Sequence, residues 1–127
     1  MNPPSPSELE ALAARLHRHR AELSSQLRLR LGPLPLTAQL LDGAVSLDDP
    51  AAIRHLAGSD LMRLAEDLAT LRSLDSACAR LADGSYGRCQ RCGAAIPHER
   101  LRVQPTAHMC LPCQQAHERR PHRSPRG

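Results

Sequence analysis

Cys89-Gln90-Arg91-Cys92-Gly93 and, further on, Cys110-Leu111-Pro112-Cys113 decide how this chain is read. The two C-x-x-C pairs are separated by 17 residues, the spacing of a four-cysteine zinc site. The reason is geometric. Zn²⁺ takes four thiolates about 2.3 Å away in a tetrahedron, and C-x-x-C lets one tight turn present two of them. Gly93 permits the backbone turn that aims N–H groups at sulfur and so steadies the thiolate charge. Four sulfurs leave no open coordination position, so the site reads as one structural zinc and not a catalytic one. The metal holds together a segment whose own apolar set, Ile96, Leu101, Val103, Met109 and Leu111, is too small to fold alone. A redox C-x-x-C needs a βαβ setting, which this chain lacks. His98, His108 and His117 read as solvated neighbours of the metal.

Ahead of the cysteines the pattern is helical. Residues 1–6 are Pro-rich and expected to be disordered, with Ser7 as N-cap and Glu8 and Glu10 at the positive helix end. Leu9, Leu12, Leu16, Leu23 and Leu27 then recur at three-to-four spacing, interrupted at His19, with Leu31 one turn further on. Gly32, Pro33 and Pro35 stop or kink this helix. After a long connection, Asp49 caps a second helix with Pro50 at its first position. Its stripe runs Ile53, Leu56, Leu61, Leu64, Leu68, Leu71, Leu74, Cys78 and Leu81, and Gly84 supplies a left-handed cap. Cys78 reads as a small buried hydrophobe of the seam.

The expected fold is therefore mainly α: an antiparallel two-helix coiled-coil hairpin followed by a small four-cysteine zinc finger with a short C-terminal helix from Gln114. The expected boundaries are 7–84 for the helical arm, with its tip near 42–51, then 85–118 for the finger and 119–127 for a basic disordered tail.

Composition agrees. Of 127 residues, 21 are Leu and 18 Ala, whereas Ile and Val together supply four and Tyr86 is the only aromatic. Such a chain is unsuited to a sheet core, which argues against Rossmann, sandwich and barrel enzymes. It also lacks the stacking aromatics of single-strand nucleic-acid binders. No paired acid and base, nucleophile or open metal site is visible, so no enzymatic activity is expected. The start has no apolar core of a signal peptide, and no stretch is apolar enough to span a membrane. A cytoplasmic location and reduced cysteines follow as expectations.

Tyr86-Gly87-x-Cys89-x-x-Cys92-Gly93-x-x-Ile96, Arg100-Leu101, Pro105-Thr106-Ala107 and Cys110-x-x-Cys113 together resemble the C4 zinc finger of the DksA/TraR family. The motif covers residues 84–114, and the helical arm before it agrees in architecture. The resemblance implies a bacterial transcription regulator that binds RNA polymerase directly. Its coiled coil would enter the secondary channel and bring acidic tip residues toward the active centre. The family tip pattern Asp-x-x-Asp-x-Ala falls on Ser46, Asp49 and Ala51, with Asp48 close by, so the second Asp and the Ala are kept and the first Asp is replaced. Where alarmone-responsive members carry basic residues, this chain has Gln104 and Gln114. Little dependence on guanosine tetraphosphate is expected.

All 17 basic residues are Arg, and the net charge of +4 is a sum of opposing regions. Residues 1–31 carry a net +2, residues 32–87 a net −4, and residues 88–127 a net +6. Arg119, Arg120, Arg123 and Arg126 form a basic end suited to nucleic acid or an acidic polymerase surface. A monomeric polymerase binder is the leading functional reading. A zinc module that binds nucleic acid through this end and a helical protein–protein adaptor are the alternatives.

Overall fold

The structure is a computed structural model that describes residues 2–31 and 58–119. Four helices are present among them: α1 (Pro6–Leu31), α2 (Gly58–Asp83), α3 (His98–Val103) and α4 (Leu111–Arg119). The only strand-like pairing in the described residues is one antiparallel bridge between Arg88 and Ala95. The expected mainly helical class with a finger at its C-terminal side is what the chain adopts. The expected kink at Gly32–Pro35, the start of the second helix at Asp49-Pro50, and the tip residues Ser46, Asp48, Asp49 and Ala51 lie outside the described residues.

Two compact units divide the chain: Met1–Leu16 with Ala77–Gly127, and His17–Ser76. In the second unit the described stretches are helical. Arg20 Nε meets Asp75 at 2.5 Å, and Arg30 pairs with Asp67. As residue number rises on α1 it falls on α2, so the two helices run antiparallel. These exposed pairs set register more than stability, since such contacts are worth about 0–1 kcal/mol. Stability comes from the seam. Leu23 and Leu27 on α1 and Leu64, Leu68, Leu71 and Leu74 on α2 are all buried. Each contributes about 1.5–3 kcal/mol by leaving water. His19, where the leucine pattern breaks, is exposed.

In the first unit the N-cap differs from the expected one. α1 is capped by Ser5, not Ser7: the Glu8 N–H donates to Ser5 Oγ at 3.2 Å while the Ser5 N–H donates to Glu8 Oε1 at 2.8 Å. This reciprocal capping box places Pro6 at the first helical position, where its missing N–H costs nothing. The stretch expected to be disordered is also tied down, because the His98 N–H donates to the Asn2 carbonyl at 2.9 Å. Where α2 ends, Gly84 adopts φ +82° and the Ser85 N–H returns to the Arg80 carbonyl at 3.0 Å. That is the left-handed cap the sequence announced. The core of this unit comprises Leu12, Leu16, Ala77, Cys78, Tyr86, Ile96, Leu101, Ala107 and Met109. The compact unit thus reaches back to Ala77, ahead of the boundary expected at residue 84.

Candidate metal centre

Two turns build the site. In the first, Gly93 at φ +77° lets its N–H donate to the Cys89 carbonyl at 2.9 Å, and the Cys89 N–H donates to the Ala94 carbonyl at 2.8 Å. The Cys92 N–H points at Cys89 Sγ, 3.4 Å away. The second turn runs into α4, which starts at Leu111 and not at the expected Gln114 and so carries Cys113 in its first turn. Here the Gln114 N–H donates to the Cys110 carbonyl at 2.9 Å. The Gln90 N–H donates to the His108 carbonyl at 2.8 Å and ties the two turns together.

The sulfurs of Cys89, Cys92, Cys110 and Cys113 all lie within 4.8 Å of one another. Cys92 Sγ and Cys110 Sγ are 3.7 Å apart, close to the edge of about 3.8 Å that a tetrahedron with arms of about 2.3 Å requires. A soft, all-thiolate donor set of this size fits Zn²⁺. No histidine joins it: among the described residues the only group able to hold a metal is this one. His98 instead meets Glu8 through Nε2 at 3.1 Å. His108 is shifted toward its neutral form by burial and by the nearby charges of Arg80, His117 and Arg100.

Without metal the four thiols compete for protons. Burial raises the Cys89 thiol, but the backbone N–H groups of Cys110, Cys92 and Arg91 outweigh it and bring the group down to about 6. Cys113 is pushed up to about 12, first by its hydrogen bond with Cys110 and then by burial and its bonds to Cys89 and Cys92. Four adjacent thiolates need a cation between them. When bound, zinc supplies that charge and cross-links the two turns.

An outer layer missing from the sequence reading holds those turns. Arg80, 5% exposed, donates through Nη2 to the Thr106 carbonyl at 3.3 Å. Arg100 Nε donates to the carbonyl of Met109, next to Cys110, at 3.1 Å. Arg15 Nη1 donates at 2.6 Å to the carbonyl of Arg102 at the end of α3, an acceptor a helix end otherwise leaves open. Leucine periodicity gave no hint of Arg80 or of α3, although Pro97 before Glu99 is a readable helix start. Of the expected core, Ile96, Leu101 and Met109 are buried, but Val103 and Leu111 are exposed. Zinc supplies the cross-link that a larger core would otherwise provide, so both side chains can stay in water. Of the basic end, Arg119 closes α4 and is exposed, while Arg120, Arg123 and Arg126 lie outside the described residues.

Residues 84–119 match the profile of the prokaryotic dksA/traR C4-type zinc finger. The finger, residues 84–119, is thus of the DksA/TraR C4 type. It is 44% identical over 50 residues to a protein named RNA polymerase-binding transcription factor DksA from Caulobacter vibrioides, covering 39% of this chain and 35% of that one. It is 42% identical over 53 residues to an uncharacterized protein of Aquifex aeolicus, covering 42% of this chain and 37% of that one. The match thus spans little more than a third of the length of these relatives. Among solved structures, transcription factor DksA2 from Pseudomonas aeruginosa superposes with TM-score 0.63 at 29% identity, covering 91% of this chain and 87% of the other. At the positions where alarmone-responsive members of the DksA/TraR family are basic, Gln104 is exposed and Gln114 donates its side-chain amide to Glu118 at 2.8 Å. No helix among the described residues is long and apolar enough to cross a membrane.

Proposed function

We propose that this protein is a non-enzymatic transcription regulator that binds bacterial RNA polymerase directly. Its helix pair enters the secondary channel, and Asp49 with Ala51 works at the tip beside Ser46 and Asp48. The supporting observation is one of extent. Helix pair and finger together match a solved transcription factor over 87% of that factor's length, well beyond the cysteine motif alone. The distribution of charge suits the same reading, an acidic middle segment joined to a basic zinc end. Zinc acts structurally by fixing the finger. Arg119, Arg120, Arg123 and Arg126 add electrostatic attraction to the complex. With Gln104 and Gln114 in place of cations, the regulator works with little help from guanosine tetraphosphate.

In vitro transcription with purified polymerase tests this. Wild-type protein changes transcript yield on at least some promoters. Asp49→Ala removes the effect while zinc content and helical circular dichroism stay at wild-type levels. Absence of any effect from the wild type across a promoter panel overturns the reading.

A further inference from the structure

α3 has six residues, half or less of the about 12–15 a helix needs to persist alone in water. It nevertheless joins the two cysteine turns. Just before it, the Ile96 N–H donates to the Gly87 carbonyl at 2.7 Å, close to Cys89 in sequence. From within it, Arg100 Nε reaches the Met109 carbonyl, next to Cys110. Leu101, fully buried, roots it in the core.

Both ends of α3 are held from far away in sequence. Pro97 at the N-cap offers no side-chain bond, and the N–H of His98 goes instead to the Asn2 carbonyl at 2.9 Å. The His98 ring meets Glu8 Oε2 through Nε2 at 3.1 Å. At the far end Arg15 Nη1 donates to the Arg102 carbonyl at 2.6 Å. Residues 2–15 thus satisfy end groups that a helix cannot satisfy from within. They share one compact unit with the finger, Met1–Leu16 with Ala77–Gly127. Pro3 and Pro4 each fix φ at about −65°, so the segment gives up little conformational entropy when it is laid against α3.

We propose that residues 2–15 are a strap that governs how long the finger keeps its zinc. Release needs an opened state in which one cysteine turn swings away from the other. Because α3 bonds to both turns, that opening disrupts α3, and the strap opposes it. The cysteines span residues 89–113, but the hold on the metal extends to Asn2, Glu8 and Arg15.

The test times zinc release from the full-length, zinc-loaded chain into excess pyridylazoresorcinol, a chromogenic chelator, and follows amide hydrogen exchange on the same sample. Pro3→Gly with Pro4→Gly loosens the strap and leaves the Ser5–Glu8 capping box in place. Arg15→Met removes the bond to the Arg102 carbonyl and keeps a good helix former. Both variants keep wild-type zinc content and helical circular dichroism, and both release the metal roughly fivefold faster, the effect of one lost hydrogen bond. The His98 amide, protected in the wild type, exchanges faster in the Pro3→Gly, Pro4→Gly variant while zinc is still bound. Arg18→Met, at another exposed position of α1, releases at the wild-type rate, and so does Leu27→Ala, which weakens the seam away from α3. Wild-type release rates in both strap variants overturn the proposal. So does equal acceleration by Arg18→Met or Leu27→Ala, which marks a general loss of stability, and so does a His98 amide that is unprotected in the zinc-loaded wild type.

Discussion

The hydroxyl of Tyr86 donates to the backbone carbonyl of Pro105 at 2.7 Å. This bond joins the residue just before the first cysteine turn to the loop that leads into the second. Tyr86 is the only aromatic of the chain and is 8% exposed, so its ring fills core and its polar tip needs a buried acceptor. Burial pushes its pKa up to about 12, against the weaker opposing charges of Arg80 and Arg15, so the phenol stays a donor across the working range. Tyr86→Phe keeps the packing and strands the Pro105 carbonyl. The expected loss is about 1–3 kcal/mol of stability, read by urea denaturation, with no dependence on pH between 6 and 9. A pH-dependent loss in that range would contradict the assignment.

The cap of α1 makes a prediction with the opposite pH behaviour. Glu8 lies below its ordinary value of 4.5, first because of its backbone hydrogen bond with Ser5, then its side-chain bond with Ser5 and the charge of His98. A carboxyl depressed in the folded state binds its proton more readily when unfolded. Its contribution is therefore present above about 4.5 and is lost as pH falls through the lower folded value. Stability measured from pH 6 down to pH 3 should fall less steeply in Glu8→Gln than in the wild type. Ser5→Ala should cost about 1 kcal/mol at neutral pH, whereas Ser7→Ala should cost almost nothing.

That contrast shows where sequence reading stops. Both Ser5-x-x-Glu8 and Ser7-x-x-Glu10 have the form of a capping box, and Pro6 decides between them by fitting only the first helical position. The four cysteines were fully legible because metal geometry dictates local spacing, and Leu12, Leu16, Leu23 and Leu27 because helix period does. Inside the finger neither rule operates. Its backbone is set by the metal and by single hydrogen bonds, so apolarity alone cannot tell buried Ile96 from exposed Val103. Arg80 escaped notice for the same reason, since its burial depends on a carbonyl at Thr106, far away in sequence.

Within α1 the same residue type two positions apart should behave in opposite ways. Leu27 is fully buried, whereas Leu29 is 84% exposed. Leu27→Ala removes a side chain from the seam and leaves a cavity, at a cost of about 2–5 kcal/mol. Leu29→Ala leaves no cavity and replaces Leu with a slightly better helix former, so its effect stays within about 0.5 kcal/mol. Denaturant midpoints of the two variants, taken on zinc-loaded protein, make the comparison. Equal losses would show that the seam does not run through Leu27.

Zinc binding should be read out in protons as well as in structure. The ligands bind as thiolates, so every cysteine still protonated must give up its proton to the solvent when the metal enters. Cys89, brought down to about 6, is already mostly thiolate at pH 7.5, whereas Cys113, pushed up to about 12, must release a proton. Titration calorimetry of the metal-free protein at pH 7.5, in buffers of different ionisation enthalpy, should therefore count fewer than four protons per zinc. A count of four would show that Cys89 is not held as a thiolate by its neighbouring N–H groups. The same titration followed by amide spectra should shift the signals of Ile96 and Leu101, which lie between the two cross-linked turns. Leu68 and Leu71, buried in a unit that contains no ligand, should keep their signals with or without metal.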